Sequence, residues 1–541
     1  MSDASTTIPA DPIDKLIAQV MRLQDGEMGL TQGNRVMRPA NDVPNVEIWL
    51  EQRIWGHRLY NDQTPWLLLL EALNMMAGYA ADQNLTCVFP GIGEHHEAVP
   101  YDMLGRPELR HLLFRDRNLD EIGAFPGSTP GTQWATWFSR KQGLEDRFGY
   151  LRKQFDSFNT LCNAVVLLRG AEVESERHRR PTSRHLAPRG LDMLTADYGE
   201  SKTGTINKDR RFFSRGGELL YFMLNRSKSR KELEPLVKSR LLSSDSRWNK
   251  LASALQPNVP NAMVSIESIG YLPLASHPAY DRLAEDWLAL LSLEALPDDS
   301  IPEPLMRLSG LGALQYVVDR GSDILGERPT PYPIDMLSPE TVNVQKFSKD
   351  CFSRHRELSR RAIKHTAKTL VDSEEWRLAS AKPIPRAALV ELVSRVFAYE
   401  PESKKAQDIA EEIENEALAN HDQHLGRVVG FYAEQIGLAT ARRGTGRWYA
   451  ASDGMLEALV LANVTSPMEF GMFLERLWRR YGFVVGTDAG RREFPESNYD
   501  HFRSNQRLLE DRLRILGLLK RLSDDCAFVI NPFAGNSEGS A

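Results

Sequence analysis

The sequence predicts a mainly α-helical, multi-domain protein that ends, over residues 383–533, in two successive winged-helix-like units with small β-hairpins. Three observations lead to this. Apolar residues recur at spacings of three and four along most of the chain, strand-like alternation is scarce before residue 400, and a run of helices closed by a glycine-turned hairpin occurs twice near the C-terminus.

At 541 residues the chain exceeds what one hydrophobic core ordinarily organises. Residues 1–12 read as a disordered tail, and Leu16, Ile17, Val20, Met21 and Leu23 then open an N-terminal helical domain spanning 13–172. Within it, helical patterns occur at 46–59 and 66–80. The run from Leu144 to Arg169, with apolar residues at Phe148, Leu151, Phe155, Phe158, Leu161, Val165 and Leu168, reads as one long helix. The tract ESERHRRPTSRHLAPRG belongs to a basic loop or linker, 173–215, because its prolines and missing periodicity stop regular structure. A central helical domain follows over 216–380. Gly216 and Gly217 read as turn formers before ELLYFML, Ser229 as the cap of RKELEPLVKSRLL, and further helices are expected at 280–293, 304–318 and 338–370, the last rich in Arg and Lys.

The first winged-helix-like unit, 383–452, has helical patterns at 386–397, 404–418 and 421–436. Gly437 is placed to close the third helix in the left-handed conformation, and Gly444 and Gly446 to turn a hairpin between LATAR and RWYAA. The second unit, 453–533, repeats this with helices at 454–461, 468–480 and 505–516, then Gly517, a turn at Ser523 to Asp525, and a return strand from Cys526 to Ile530. Laying Gly437 on Gly517 superposes Leu438 on Leu518 and Trp448 on Phe528. The competing reading is one helical bundle with two incidental hairpins. Residues 534–541 form a second tail.

Composition narrows the function classes. The longest apolar stretch, around Trp66 to Leu73, is far short of the ~20 residues that span a bilayer, and the acidic N-terminus lacks a secretory signal, so a cytoplasmic protein is expected. Cys87, Cys162, Cys351 and Cys526 form no paired motif. Phosphate-binding glycine loops and hydrolase, deaminase and kinase signatures are absent, and no cofactor or metal is expected. His95 and His96 read as surface-loop residues, and His421 and His424 as the polar start of a helix, since neither pair has an identifiable third ligand.

The net charge of −6 argues against a protein that coats nucleic acid indiscriminately, but residues 177–250 hold eighteen Lys and Arg against eight Asp and Glu. Within that region Arg179, Arg180, Arg184, Arg210 and Arg211 are candidates for neutralising phosphates. Arg442, Arg443 and Arg447 around the first hairpin turn, with Arg427 on the helix before it, form a second candidate set. In the second unit the acidic turn, Asp524 and Asp525, disfavours phosphate. Its apolar end, Phe528, Val529, Ile530 and Phe533, is expected to bind a protein partner.

The segments SDGMLEALVLANV, FGMFLERLWRRYGFVVG and RLLEDRLRILGLLKRLSDDCAFVINPF resemble uncharacterised proteins encoded in bacterial defence islands beside ATPases, helicases or DNA methylases. That resemblance implies a component of a multi-gene antiphage system and supplies no catalytic residues. The expectation is therefore a non-catalytic DNA-binding or scaffold component, touching DNA through phosphates and working with an ATPase or helicase. Two alternatives stay open: a winged-helix transcriptional regulator, and a metal-dependent nuclease with dispersed ligands.

Overall fold

A computed structural model describes residues 46–56, 59, 63–81, 87–90, 101–123, 130–173, 184–194, 215–258, 272–274, 276–397, 399–523 and 526–535, with strand segments at 31–32, 35–36, 198–200, 206–208 and 262–266. The protein is mainly α-helical, and the sheets among the described residues have only two or three short strands. The expected helix at 14–23, His95 and His96, Arg179, Arg180, Arg210, Arg211, Asp524, Asp525, the tail 1–12 and residues 536–541 of the second tail lie outside the described residues.

The elements that position the site are α1 (Val46–Trp55), α2 (Pro65–Ala81), α3 (Arg215–Asn225), α4 (Pro278–Leu291), α5 (Pro302–Leu325), β1 (Tyr332–Pro333) and α6 (Val342–Val371). At the hub is α5, which packs against α1, α2, α4 and α6. Proline at its first position suits a helix start, where the missing N–H costs nothing, and Gly326 at φ +64° ends it. It is apolar on every side and therefore buried on every side, through residues such as Leu305, Leu308, Leu311, Leu314 and Val317. The last carbonyls of α1 are bound by its polar groups: Tyr316 OH donates to Trp55 O at 3.0 Å and Arg320 Nε to Ile54 O at 3.1 Å.

Gly216 and Gly217 lie inside the first turn of α3, not in a turn before it. A Cβ on either would stand 2.1 Å from a side-chain atom of Leu68 or Glu71, so their role is to let α3 and α2 approach. Ser229 precedes its helix without a side-chain cap. The stretch 144–169 is three helices, Leu144–Phe148, Leu151–Gln154 and Phe158–Arg169. Phe155 is extended, and Ser157 Oγ accepts from Thr160 N at 3.1 Å to start the last one. Phe148, Leu151, Phe158, Leu161 and Leu168 nevertheless share one core, separate from that around α5, so the periodicity recorded a common buried side and not a single axis.

The C-terminal region continues with α7 (Pro385–Phe397), α8 (Ile409–Ala417), α9 (Leu425–Gln435) and the hairpin β2 (Ala439–Arg442) and β3 (Gly446–Tyr449). Then come α10 (Asp453–Asn463), β4 (Met468–Glu469), α11 (Phe470–Tyr481), β5 (Phe483–Val484), α12 (Thr487–Glu493), α13 (Tyr499–Ile515), β6 (Leu519–Ser523) and β7 (Cys526–Val529). The last three-stranded sheet has the order β4-β7-β6, so the strand after α10 pairs with the final strand, and β5 pairs in parallel with β1.

The hairpins correspond over their first three pairs, after which the second has a register irregularity between Arg521 and Ser523 that the first lacks. Gly437 and Gly517 have φ +78° and +72°. Ala439 faces Tyr449 as Leu519 faces Val529, and Thr440 faces Trp448 as Lys520 faces Phe528. The backbone bonds Leu438 N to Ala433 O and Ala450 N to Leu438 O recur as Leu518 N to Leu513 O and Ile530 N to Leu518 O, all between 2.7 and 2.9 Å. The two units meet without a linker: Ser452 N donates to Gly437 O at 2.7 Å and its hydroxyl caps α10. From α5, Arg307 Nη1 donates to Ile436 O at 2.7 Å, and its guanidinium lies 2.9 Å from where a Cβ on Gly437 or Gly454 would be.

Candidate nucleic-acid interface

The first hairpin is held to α6 by buried polar groups. Trp448 Nε1 donates to Asp335 Oδ2 at 2.9 Å, and Thr341 Oγ1 to Asp335 Oδ1 at 2.5 Å. Burial pushes the Asp335 carboxyl up from its ordinary range. Ser348 Oγ donates to Tyr449 O at 3.1 Å and accepts from Tyr449 N at 2.7 Å. His355 Nε2 stands 3.0 Å from Thr330 O, a carbonyl that only accepts, so Nε2 carries the hydrogen and Nδ1 accepts from Tyr449 OH at 2.7 Å. Burial lowers the His355 pKa to about 4, which keeps the ring neutral.

Over this anchored strand lies a patch of cations. The Trp448 indole is buried beneath Lys349 Nζ at 5.2 Å and Arg442 Cζ at 5.9 Å from the ring centroid. Arg442 and Arg443 are exposed and form no ion pair among the described residues. Arg447 Nε is held 2.5 Å from Glu434, and Arg427 Nε donates to Asp422 O at 2.8 Å. A Cβ on Gly430 would stand 3.5 Å from Arg447 Nη1 and 3.8 Å from Arg356 Cδ, so both arginines cross α9 at that glycine. Lys349, Arg356 and Arg360, at intervals of seven and four, therefore line the edge of α6 beside the hairpin. Arg360 is bound to Asp422 at 3.1 Å, and Asp350 and Glu357 are exposed on the same helix.

The helix before the hairpin is not accessible. Leu425, Val428, Val429, Gly430, Tyr432 and Ala433 of α9 are buried, the helix packs on both α5 and α6, and Arg427 is its one exposed residue. Such a helix cannot enter a DNA groove. The hairpin alone remains for contact.

The other expected residues are distributed differently. Arg184 binds both oxygens of Glu172 at 2.5 Å and lies over the Phe114 ring, and this carboxylate raises its pKa; its charge is already used inside the protein. Val529 is fully buried, Phe528, Ile530 and Phe533 are half-buried, and the alternation of β7 turns the apolar end inward. That removes Val529 from any partner surface. The exposed apolar side chains of this unit are Met472, Ile515 and Leu522. His421 is buried with Nε2 3.0 Å from Ser359 Oγ, and among the described residues no group of His, Cys, Asp and Glu is arranged to hold a metal.

Sequence reasoning did not single out Lys349 or Arg356, although the basic polar positions of 338–370 were visible; nothing local says that this helix edge borders the hairpin. It also passed over Arg503 and Arg507 on the outer side of α13. Compared with known proteins, the chain matches no family profile, no curated protein and no solved structure. No described helix is long and apolar enough to cross a membrane.

Proposed function

We propose that the protein is a non-catalytic scaffold component of a multi-protein assembly that contacts DNA through phosphates, and that the assembly is a bacterial antiphage system acting with an ATPase or helicase. The defence setting rests on the resemblance of the three C-terminal segments quoted above. The DNA contact rests on one observation: Arg442 and Arg443 are exposed and form no ion pair among the described residues, with Arg442 and Lys349 both over Trp448, on a hairpin anchored by Trp448 and Tyr449.

With α9 buried, this patch meets backbone and not bases, so it binds without sequence choice. The two C-terminal units are read as winged helices, the second supported by its strand order, in which the early strand β4 joins the final hairpin.

Duplex binding by the full chain, measured against salt, tests this. Each phosphate contact contributes a slope of about −0.9 in log affinity against log salt, so replacing Arg442 and Arg443 by alanine is expected to flatten the slope by roughly 2. Absence of duplex binding at low salt overturns the DNA reading. Failure of the tagged protein to retain an ATPase or helicase from its native host overturns the scaffold reading.

A further inference from the structure

The outer side of α13 differs in kind from the patch on the first hairpin. Asp500, Arg503, Arg507, Asp511, Arg514 and Ile515 are exposed, and their spacings of three and four keep them on one side of the helix. The opposite side, Phe502, Asn505, Leu509 and Leu513, is buried. Its orientation is fixed by Asn505, whose Nδ2 donates to Ile334 O at 2.8 Å and Val485 O at 3.0 Å while Oδ1 accepts from Met336 N at 2.8 Å. The hairpin that follows exposes Lys520 and Arg521.

A face of mixed sign is poorly suited to phosphate, because its acids repel the strand. It is well suited to base edges. Arginine can give two hydrogen bonds to guanine O6 and N7, and aspartate can accept from the cytosine amino group. Arg503 lies 3.2 Å from Asp500 and Arg514 lies 3.3 Å from Asp511, exposed pairs that hold the side chains loosely and cost little to exchange, while Arg507 between them has no ion pair among the described residues. From Arg503 to Arg514 the helix rises about 16 Å, enough to cross a major groove about 12 Å wide.

We infer that α13 is the groove-reading helix of this protein, with duplex DNA containing G·C pairs as its ligand. This rests on the DNA reading above and moves base recognition from the first unit to the second. In chain order α13 stands directly before the hairpin, and its outer side is exposed.

The test uses the full chain and fluorescently labelled DNA of one length in three forms: a G·C-rich duplex, an A·T-only duplex and a single strand. The wild type is expected to prefer the G·C-rich duplex over both others by about tenfold or more, the value of one arginine–guanine pair. R503A/R507A should lose most of that preference, whereas R442A/R443A should weaken all three forms by a similar factor. The altered side chains are exposed, so unchanged thermal melting identifies folded variants. If the wild type binds but shows no preference, or R503A/R507A retains it, the groove assignment fails and the phosphate reading stands. If the wild type binds none of the three, the DNA reading itself fails.

Discussion

In the first C-terminal unit the helix before the hairpin, α9, is walled in by α5 and α6, whereas in the second the equivalent helix, α13, keeps one side open along its length. The hairpins themselves share the register of their first three pairs, the closing glycine and backbone bonds. The repeated part is thus the local one. What differs is what the rest of the chain lays against it, and that decides which part of each unit is available to a ligand: a cationic hairpin in the first, a helix face of mixed charge in the second.

The largest expected contrast is in the return strands. Trp448 is fully buried and bonded to buried Asp335, so Trp448→Ala should cost about 3–5 kcal/mol and deprive Asp335 Oδ2 of its indole donor, while half-buried Phe528→Ala should cost roughly half as much. Urea unfolding of both variants measures this; equal losses would mean that the two hairpins are anchored alike. Next comes acid. His355 titrates near 6.5 unfolded and about 4 folded, so the unfolded chain takes up protons first and stability falls as pH drops from about 6.5 to about 4, by about 3 kcal/mol at most. Unfolding midpoints at neutral and acid pH read the effect, and His355→Gln should flatten it. Because that ring supports only the first hairpin, protection of the Tyr449 amide against exchange should fall before that of Val529. The smallest effect separates the closing glycines. Gly517→Ala meets open space and pays only the left-handed conformation, about 1–2 kcal/mol, whereas Gly437→Ala also drives a methyl into Ser452 Oγ and Arg307. A larger drop in melting temperature for Gly437→Ala is expected, and the reverse order would place the tighter junction in the second unit.

Much of the fold could be read directly because its rules are local. Gly437, Gly444, Gly446 and Gly517 adopt the left-handed conformations their positions required, and the offset between Trp448 and Phe528 is the offset of the two registers. Less of the site could be read, for physical reasons. Whether α9 is exposed depends on α5 and α6, scores of residues earlier in the chain, and periodicity shows that a helix has an apolar side without showing how much of the remainder is covered. Val529 illustrates the ambiguity of an apolar run, which serves equally as core or as contact. Arg184 illustrates that of a cation, whose partner Glu172 is adjacent only once strands form. In 144–169 the periodicity hid two breaks, because three short helices can bury the same residues as one long helix.

The junction at Arg307 has a further consequence under the proposed reading. With Ser452 bonded to Gly437 and the guanidinium laid across Gly437 and Gly454, there is no slack chain between the two contact surfaces. Once one surface has engaged a duplex, the other searches a narrow range of positions, and its local concentration is set by geometry rather than by tether length. Affinity should then rise in a step at the duplex length that reaches both surfaces, and a duplex just short of that length should bind no better than one half as long.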